Sequence, residues 1–295
     1  MTEFLQQLVD GLGRGSEYAL LALGIAVIFG VMHLVNFAHG ELITVSAYVT
    51  YSLSQAGLSW WILVPVIIAT AVVTSVVIEF VAFRWVRGAP DFTMLLTSFG
   101  VHFLVAALFV MYVSANTQPF DRPSWIADVW EIGGIRFEIF DLVTIAVTIV
   151  TLILTVLLLQ RTMFGVSLRA AAEDFDAARL MGIRSDKVIR GAFALAGLLA
   201  GIAAVFVLMR TGRAAPTVGL TPMLKGVLAA LIGGLGSMQG AVLGGFVLGL
   251  VEVFLIARLP AGWTGLTNGV VFFLIALLFV FRPGGLINVG TAERV

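Results

Sequence analysis

The sequence predicts an all-α fold, a polytopic membrane helix bundle with about eight transmembrane helices. The chain of 295 residues is 60 % hydrophobic and 12 % charged, and its mean hydropathy is +1.07. Soluble domains are about 45–50 % apolar and about 25 % charged. The apolar stretches are about 20 residues long, the length that a helix needs to cross a bilayer. They lack the alternation of a membrane β-barrel, so helices are the expected spanning elements.

The apolar stretches follow one another as a single domain over residues 1–295. The seventh contains Gly233, Gly234 and Gly236, which predict a break at a depth where protein or a water cavity must cover the open backbone. The N-terminal sequence MTEFLQQLVDG has no basic region and no cleavage site, so we expect the first span to be retained. The stretches cover residues 16–35, 40–58, 61–83, 93–113, 141–160, 188–209, 224–257 and 266–282.

The distribution of Lys and Arg predicts the orientation of the bundle. Segments 84–92 and 161–190 are rich in Arg and are expected in the cytoplasm, whereas segment 114–140 is expected outside. Counting the spans backward places the N-terminus outside. Arg210 and Arg213 then also lie outside, against the rule.

A small external β-hairpin is expected within the outer segment. In the sequence VWEIGGIRFEIF, residues 129–140, Gly133 and Gly134 form a candidate turn between residues that alternate in polarity. An irregular loop is the alternative.

Several classes of function are disfavoured by motifs that the sequence lacks. The formal net charge is zero and no Lys/Arg run exceeds two neighbours, so nucleic acid is not an expected partner. The chain has no cysteine and no phosphate-loop, HExxH or GxSxG motif. His33 and His102 are interpreted as lone structural histidines, and no metal site is expected. A membrane enzyme is therefore the least favoured class.

A standalone ion-coupled transporter is the alternative from another class. Such a carrier needs an ionisable group deep within a span. Glu79 and Glu252 are the candidates; Glu79, a turn from Arg84, is favoured as an interfacial anchor, and Glu252 as a structural group buried against partners. Dependence on a proton or sodium gradient would separate this class from an ATP-driven one.

Residues 169–190 carry nine charged residues, about a quarter of the 34 in the chain. Their pattern predicts a cytoplasmic amphipathic helix over about 168–182, ended by a C-cap at Gly182. Such a helix lies in the headgroup layer or docks its small residues in a groove of a partner. Its apolar face comprises Leu168, Ala171, Ala172, Phe175, Ala178 and Met181.

Glycines at spacings of four predict close approach of helices in lipid. Tight packing is the simpler interpretation, and helices that slide or rock are the functional one. The residues concerned are Gly197, Gly201, Gly236, Gly240 and Gly244.

Polar residues at span ends supply candidates for a pathway or gate. The short segment NFAHGE contributes Asn36, His39 and Glu41, and a tight capped turn is the equally weighted alternative. Hydrogen bonding to a neighbouring helix is the simpler role for the other three candidates. These are Thr97, Ser98 and Asn268.

The sequence resembles the branched-chain amino acid importer permeases, the membrane subunits of ABC importers. Asp176-Ala177-Ala178, three residues and Gly182 are similar to the EAA-x3-G signature, with Asp in place of Glu and without the later Leu-Pro. Other matching stretches follow in order over nearly the whole chain. They are 16–49 with its NFAHGE core, LTSFG at 96–100, 164–183, 192–205, 225–252 and FRPGGL at 281–286.

The resemblance implies a multi-pass permease subunit of a bacterial inner membrane that has no ATP site of its own. It implies two cytoplasmic ATPase subunits that bind ATP and Mg, a second permease subunit in a homo- or heterodimer, and a periplasmic solute-binding protein. The segment 168–182 would be the coupling helix. Its candidate contacts with the ATPase are Glu173, Asp176, Ala177, Ala178, Arg179 and Gly182.

The expected solute is a branched-chain or similar amino acid. Permeases of similar appearance carry urea, short amides or other amino acids, so the substrate stays open among these. A pathway with few charges suits a zwitterionic or neutral solute.

Overall fold

The computed structural model of the protein describes residues 2–132, 135–260 and 266–281, and within them it is an α-helical bundle. Eleven helices follow the chain order in this part of the chain. They are α1 (Thr2–Met32), α2 (Gly40–Gln55), α3 (Trp60–Val81), α4 (Asp91–Tyr112), α5 (Ile139–Arg161), α6 (Met163–Glu173), α7 (Phe175–Leu180), α8 (Ser185–Thr211), α9 (Leu220–Gly233), α10 (Met238–Ile256) and α11 (Thr267–Phe281).

Within the described residues, six helices have the length and apolar composition to cross a membrane: α1, α3, α4, α5, α8 and α10. The expected count of about eight transmembrane helices is therefore not confirmed by this part of the chain. Helix α2 has 16 residues and α9 has 14, both short of the roughly 20 that a crossing needs. The predicted break in the seventh stretch is confirmed, because α9 ends at Gly233 and α10 begins at Met238.

Helices α1 and α8 form the centre of the bundle. In their most apolar windows 89 % and 83 % of the residues are buried, against 17–39 % in α3, α4, α5 and α10. Helix α1 packs against α5, α8, α9 and α10, and α8 packs against α3. Helix α1 starts at Thr2 and not near residue 16, because its polar first turns contact other parts of the chain.

Four short strands lie at one end of the bundle, which we call the strand end. Strands β1 (Gln118–Pro119) and β4 (Arg213–Ala214) pair antiparallel, as do β2 (Val129–Ile132) and β3 (Ile135–Glu138). The second pair lies where the sequence predicts a hairpin. The turn residues 133 and 134 are outside the described residues.

The opposite end, which we call the basic end, carries the C-terminus of α1, the α3–α4 connection, and helices α6 and α7. Helix α1 ends there at Met32, where His33 takes φ +53° and donates its backbone N–H to the Phe29 carbonyl, 2.8 Å away. This left-handed residue stops the helix. The positive-inside rule would place the basic end in the cytoplasm.

Candidate functional site

Helix α6 is fixed against the end of α5 at the basic end. The Thr162 side chain caps α6 by accepting from the Gly165 N–H at 3.3 Å. A Cβ on Gly165 would lie 1.9 Å from the Leu159 carbonyl oxygen, so only glycine fits this turn. The Arg169 guanidinium donates to the same carbonyl. A displacement of α6 must therefore move the end of α5 as well.

The single amphipathic helix expected over 168–182 is divided in two by Asp174. This residue takes φ −152° and ψ 111°, and its carboxylate accepts from the Ala177 N–H at 3.0 Å. Aspartate favours this capping geometry over a helix interior. The prediction of one continuous helix is therefore wrong, and α7 is a separate short helix.

The residues of the predicted apolar face differ in burial along α6 and α7. Leu168, Ala171 and Ala178 are buried against the chain itself, Ala178 being 6 % exposed. Leu180 and Met181 are 90 % and 83 % exposed, so Met181, predicted on the apolar face, is not covered by the chain itself. Gly182 takes φ +86° and ends this helical segment, as expected. The side chains of Leu180 and Met181 project just before it, and we call these two residues the tip of α7.

The remaining coupling candidates lie around this tip. Glu173, Ala177, Arg179 and Gly182 are exposed, and the side chain of Asp176 is outside the described part. Of the two alanines in the signature, Ala177 is therefore available to a partner, whereas Ala178 packs inward. A bulky residue at Ala178 would disturb the chain's own packing before it met any partner.

An ion-pair cluster ties the start of α8 to α3. The Arg87 guanidinium contacts the carboxylates of Glu79 and Asp186, and Arg190 Nε lies 3.9 Å from Glu79 Oε2. Glu79 is fully buried. Arg84, which the sequence suggested as the neighbour of Glu79, instead lies over the Phe80 ring. Glu79 thus occupies a structural site.

The NFAHGE segment is buried within the bundle. The Asn36 side chain accepts from the Ala38 N–H at 3.0 Å and so caps the short 3-10 helix Phe37–His39. The ring of His39 is 1 % exposed, and neither of its nitrogens finds a hydrogen-bond partner among the described residues. Glu41 Oε1 lies 2.6 Å from His102 Nδ1, which joins α2 to α4.

Two short helices begin at the same place inside the bundle. The backbones of Gly40, at the start of α2, and Gly219, just before α9, approach so closely that a Cβ on Gly219 would lie 1.9 Å from the Gly40 carbonyl oxygen. The Gly219 N–H also donates to Thr44 Oγ1 at 3.3 Å. Each helix N-terminus carries a partial positive charge. Interrupted helices of this kind line binding sites in several transporter folds.

The polar groups of the other three pathway candidates make no hydrogen bond to the junction of α2 and α9 among the described residues. Thr97 and Ser98 donate to the carbonyls of their own helix, at 2.8 and 2.7 Å. Asn268 is exposed on α11. Helix α4 reaches the NFAHGE segment through apolar stacking, with the rings of Phe37 and Phe99 4.2 Å apart.

Two buried charge clusters at the strand end were not predicted. In the first, Lys225 Nζ lies 2.8 Å from Glu252 Oε1, and the Tyr18 hydroxyl donates to Glu252 Oε2 at 2.7 Å. Arg14 adds a contact at 3.4 Å. Glu252 is therefore held in an ion pair, as its structural interpretation requires. The opposite charges of Lys225 and Glu252, each within an apolar stretch, were the feature of the sequence that could have indicated this ion pair.

In the second cluster, the Arg210 guanidinium contacts Glu17 and Asp141, each at 2.8 Å, and lies over the Phe140 ring. This pairing neutralises Arg210, so it accounts for one of the two arginines that conflict with the predicted orientation. Glu138 precedes α5 nearby, and burial, together with the charge of Asp141, raises the pKa of its carboxyl above its usual value.

The helix-packing glycines occupy two interfaces and one turn. Gly197 and Gly201 lie against α3, and Gly240 and Gly244 lie against α9, where a Cβ on Gly244 would be 2.0 Å from the Ala229 carbonyl oxygen. Gly236 lies in the turn between α9 and α10, so its assignment to a helix-packing face is wrong. No group of three His, Cys, Asp or Glu residues that suits a metal occurs in the described ranges.

These features describe a multi-pass membrane protein with short paired strands at one end and an exposed helical tip at the other. Comparison with known families gives the same class: residues 7–280 match the family described as "Branched-chain amino acid transport system / permease component". The chain belongs to this family.

Relatives with recorded names match over most of their length. The chain is 31 % identical to the high-affinity branched-chain amino acid transport system permease protein BraD of Pseudomonas aeruginosa, covering 99 % of this chain and 98 % of that protein. It is 30 % identical, with the same coverage, to LivH of Escherichia coli, which has the corresponding name. A probable LivH of Methanocaldococcus jannaschii is 27 % identical over 92 % of this chain and 88 % of that protein.

Proposed function

We propose that this chain is a permease subunit of an ATP-driven importer that moves branched-chain or similar amino acids across a bacterial inner membrane. Family membership over residues 7–280 carries the proposal. The full-length similarity to BraD and LivH, both named for branched-chain amino acid transport, supports the substrate class. The proposed partners are two cytoplasmic ATPases that hold ATP and Mg, a second permease subunit and a periplasmic binding protein.

The end of α6 together with α7, about residues 168–182, is the proposed docking element for the ATPase. Leu180 and Met181 project from it and are the apolar side chains that a groove on the ATPase would bury. Burial of a side chain of this size contributes about 1.5–3 kcal/mol. Glu173, Asp176, Ala177 and Arg179 would surround this contact, and Gly182 would aim the tip by ending α7.

We propose that a movement of the ATPase is transmitted from α7 to the bundle by two routes. One runs from α6 into α5 through the Thr162–Gly165 turn and the Arg169 contact with Leu159. The other runs from Gly182 directly into α8, whose first turn is tied to α3 through Asp186 and Arg87. Because α8 lies at the centre of the bundle, a push on α7 would move the helices around it together.

The junction of α2 and α9 is the proposed moving part of the pathway. Asn36, His39 and Glu41 lie at or next to it and are buried in this chain. A solute would reach these groups only after the two permease subunits had separated α2 from α9. Thr97, Ser98 and Asn268 are proposed to act at the ends of the route. The few charges at this junction suit a zwitterionic or neutral solute.

A standalone ion-coupled carrier is less well supported. It would need Glu79 or Glu252 to exchange an ion or a proton, and both buried carboxylates are paired with cations. An importer of another substrate, such as urea, a short amide or a different amino acid, would need no change in these contacts. Only a measurement of which substrate is taken up distinguishes it from a branched-chain amino acid importer.

Uptake by proteoliposomes tests the proposal. The chain, co-purified with its partners, is reconstituted with ATP inside or outside, and uptake of labelled leucine is compared with that of urea and acetamide. We expect leucine uptake only with ATP on the ATPase side, and unaffected by proton or sodium ionophores. Uptake that needs no ATP and collapses with an ionophore would contradict the proposal.

A further inference from the structure

An open cavity of about 1110 Å³ lies at the basic end. Three parts of the chain form its walls: the end of α1, the α3–α4 connection and the connection from α7 to α8. Five cationic side chains converge on it from the last two of these parts. They are Arg87, Arg179, Arg184, Lys187 and Arg190.

The carboxylates nearby neutralise only part of this charge. Arg87 is paired with Glu79 and Asp186, and Arg190 is 3.9 Å from Glu79. The other three cations make no ion pair with any residue that the structure describes. Like charges that converge on one cavity repel each other, so the site stabilises an anion that enters it.

The start of α8 adds to this preference. Arg184 occupies its N-cap position and makes no side-chain cap hydrogen bond, and Asp186 and Lys187 follow in the first turn, where Asp186 is paired with Arg87. Helix N-termini favour negative charge, and cations there are unfavourable. Ser185 and Asp186 of this turn border the same cavity. The first N–H groups of a helix have no partner within it, so an anion bound there would offset the side-chain repulsion and complement the helix dipole.

The cavity also has an apolar wall. Val31, Met32, Met94 and Ile189 are buried in the bundle and border it. A small soluble anion would leave the part of these side chains that faces the cavity in contact with water. A ligand that joins an anionic headgroup to a hydrocarbon chain covers both surfaces at once.

We propose that this cavity binds the phosphate headgroup of an anionic phospholipid, with its acyl chain along the apolar wall. Basic pockets between helices at the cytoplasmic surface are suited to such headgroups. The phosphate could also come from the solution, so the test has to separate the two sources. The proposal does not rest on the substrate or on the direction of transport.

Native mass spectrometry of the delipidated complex tests this site. Phosphatidylglycerol, phosphatidylcholine and inorganic phosphate are each titrated against the wild type, the variant R184Q/K187Q and the control R84Q/R161Q. The control removes the same charge from exposed arginines at the basic end that do not border the cavity. All four side chains are exposed, so folding should be retained.

We expect one phosphatidylglycerol to bind the wild type and the control, and to bind R184Q/K187Q at least about tenfold more weakly. Phosphatidylcholine should bind all three equally and weakly. Equal losses in both variants, or binding of inorganic phosphate as tight as that of the lipid, would overturn the proposal. Loss of the ATPase subunits from R184Q/K187Q with unchanged lipid binding would assign the cavity to the protein partner and also overturn it.

Discussion

The two ends of the bundle handle their charged residues differently. At the strand end, the half-buried Arg210 and the buried Lys225 each lie 2.8 Å from a carboxylate oxygen. At the basic end, Arg179, Arg184 and Lys187 face a cavity without an ion pair among the described residues. The charge clusters at the strand end are therefore paired within the chain, whereas the cavity at the basic end presents cations that another molecule can contact.

This difference separates a fixed region from a docking region. Buried ion pairs resist separation because each charge left alone in apolar surroundings is costly. Exposed apolar side chains, and cations without an ion pair among the described side chains, have the opposite property, since contact with a partner stabilises them. A permease that is driven by an ATPase at one end needs both regions. One holds the helices in fixed positions, and the other binds the ATPase and transmits its movement.

The largest expected effect comes from removing one member of the strand-end cluster. Glu252→Leu leaves Lys225 buried without its carboxylate, and we expect the free energy of unfolding to fall by about 3–5 kcal/mol. The double variant K225M/E252L removes both charges and should recover most of this loss. Thermal unfolding in detergent measures both. If E252L unfolds like the wild type, the cluster does not hold the strand end together.

A smaller effect is expected at the turn between α5 and α6. Gly165→Ala places a Cβ against the Leu159 carbonyl, and the backbone shift should cost about 1–3 kcal/mol. Gly100→Ala is the matched control, because no atom lies within 4 Å of its Cβ position in α4. That control should be neutral or stabilising by up to about 1 kcal/mol. Equal stability of the two variants would show that the turn is not tightly packed.

A still smaller effect is expected where α1 meets the strands. The Gln6 amide donates to the Arg136 carbonyl at 2.9 Å and accepts from its N–H at 2.8 Å. Gln6→Ala should lower the free energy of unfolding by about 1 kcal/mol and speed amide hydrogen exchange in β3. Gln7→Ala serves as the control, since the structure gives its side chain no hydrogen bond. Unchanged exchange in Gln6→Ala would show that the strands do not depend on α1.

Local features of this fold follow from local sequence. The glycines at 233–236 marked the break between α9 and α10, and Gly182 marked the end of α7, because both depend on backbone freedom that glycine supplies. The division at Asp174 was not predicted, although aspartate is a common N-cap residue, because the apolar periodicity runs across it. The periodicity of apolar residues indicates which side of a helix is apolar, but it does not indicate whether one continuous helix carries them.

Long-range pairing could not be predicted. The Tyr18 hydroxyl and Glu252 are 234 positions apart, and Arg210 and Glu17 are 193 apart. The sequence contains the matched charges but not the packing that brings them together. The start of α2 at residue 40 was predicted, whereas its end at Gln55 comes three residues before the end of the apolar stretch 40–58.

The central claim is that the exposed tip of α7 couples the permease to its ATPase. The variant L180S/M181S should unfold like the wild type within about 0.5 kcal/mol, because both side chains are exposed. The control M163S/V166S removes two exposed apolar side chains from α6. The most direct measurement is ATP-driven leucine uptake in proteoliposomes, with the amount of bound ATPase determined in parallel. We predict at least about a tenfold loss of both in L180S/M181S and little change in the control. Full uptake and full ATPase binding in L180S/M181S would contradict the account.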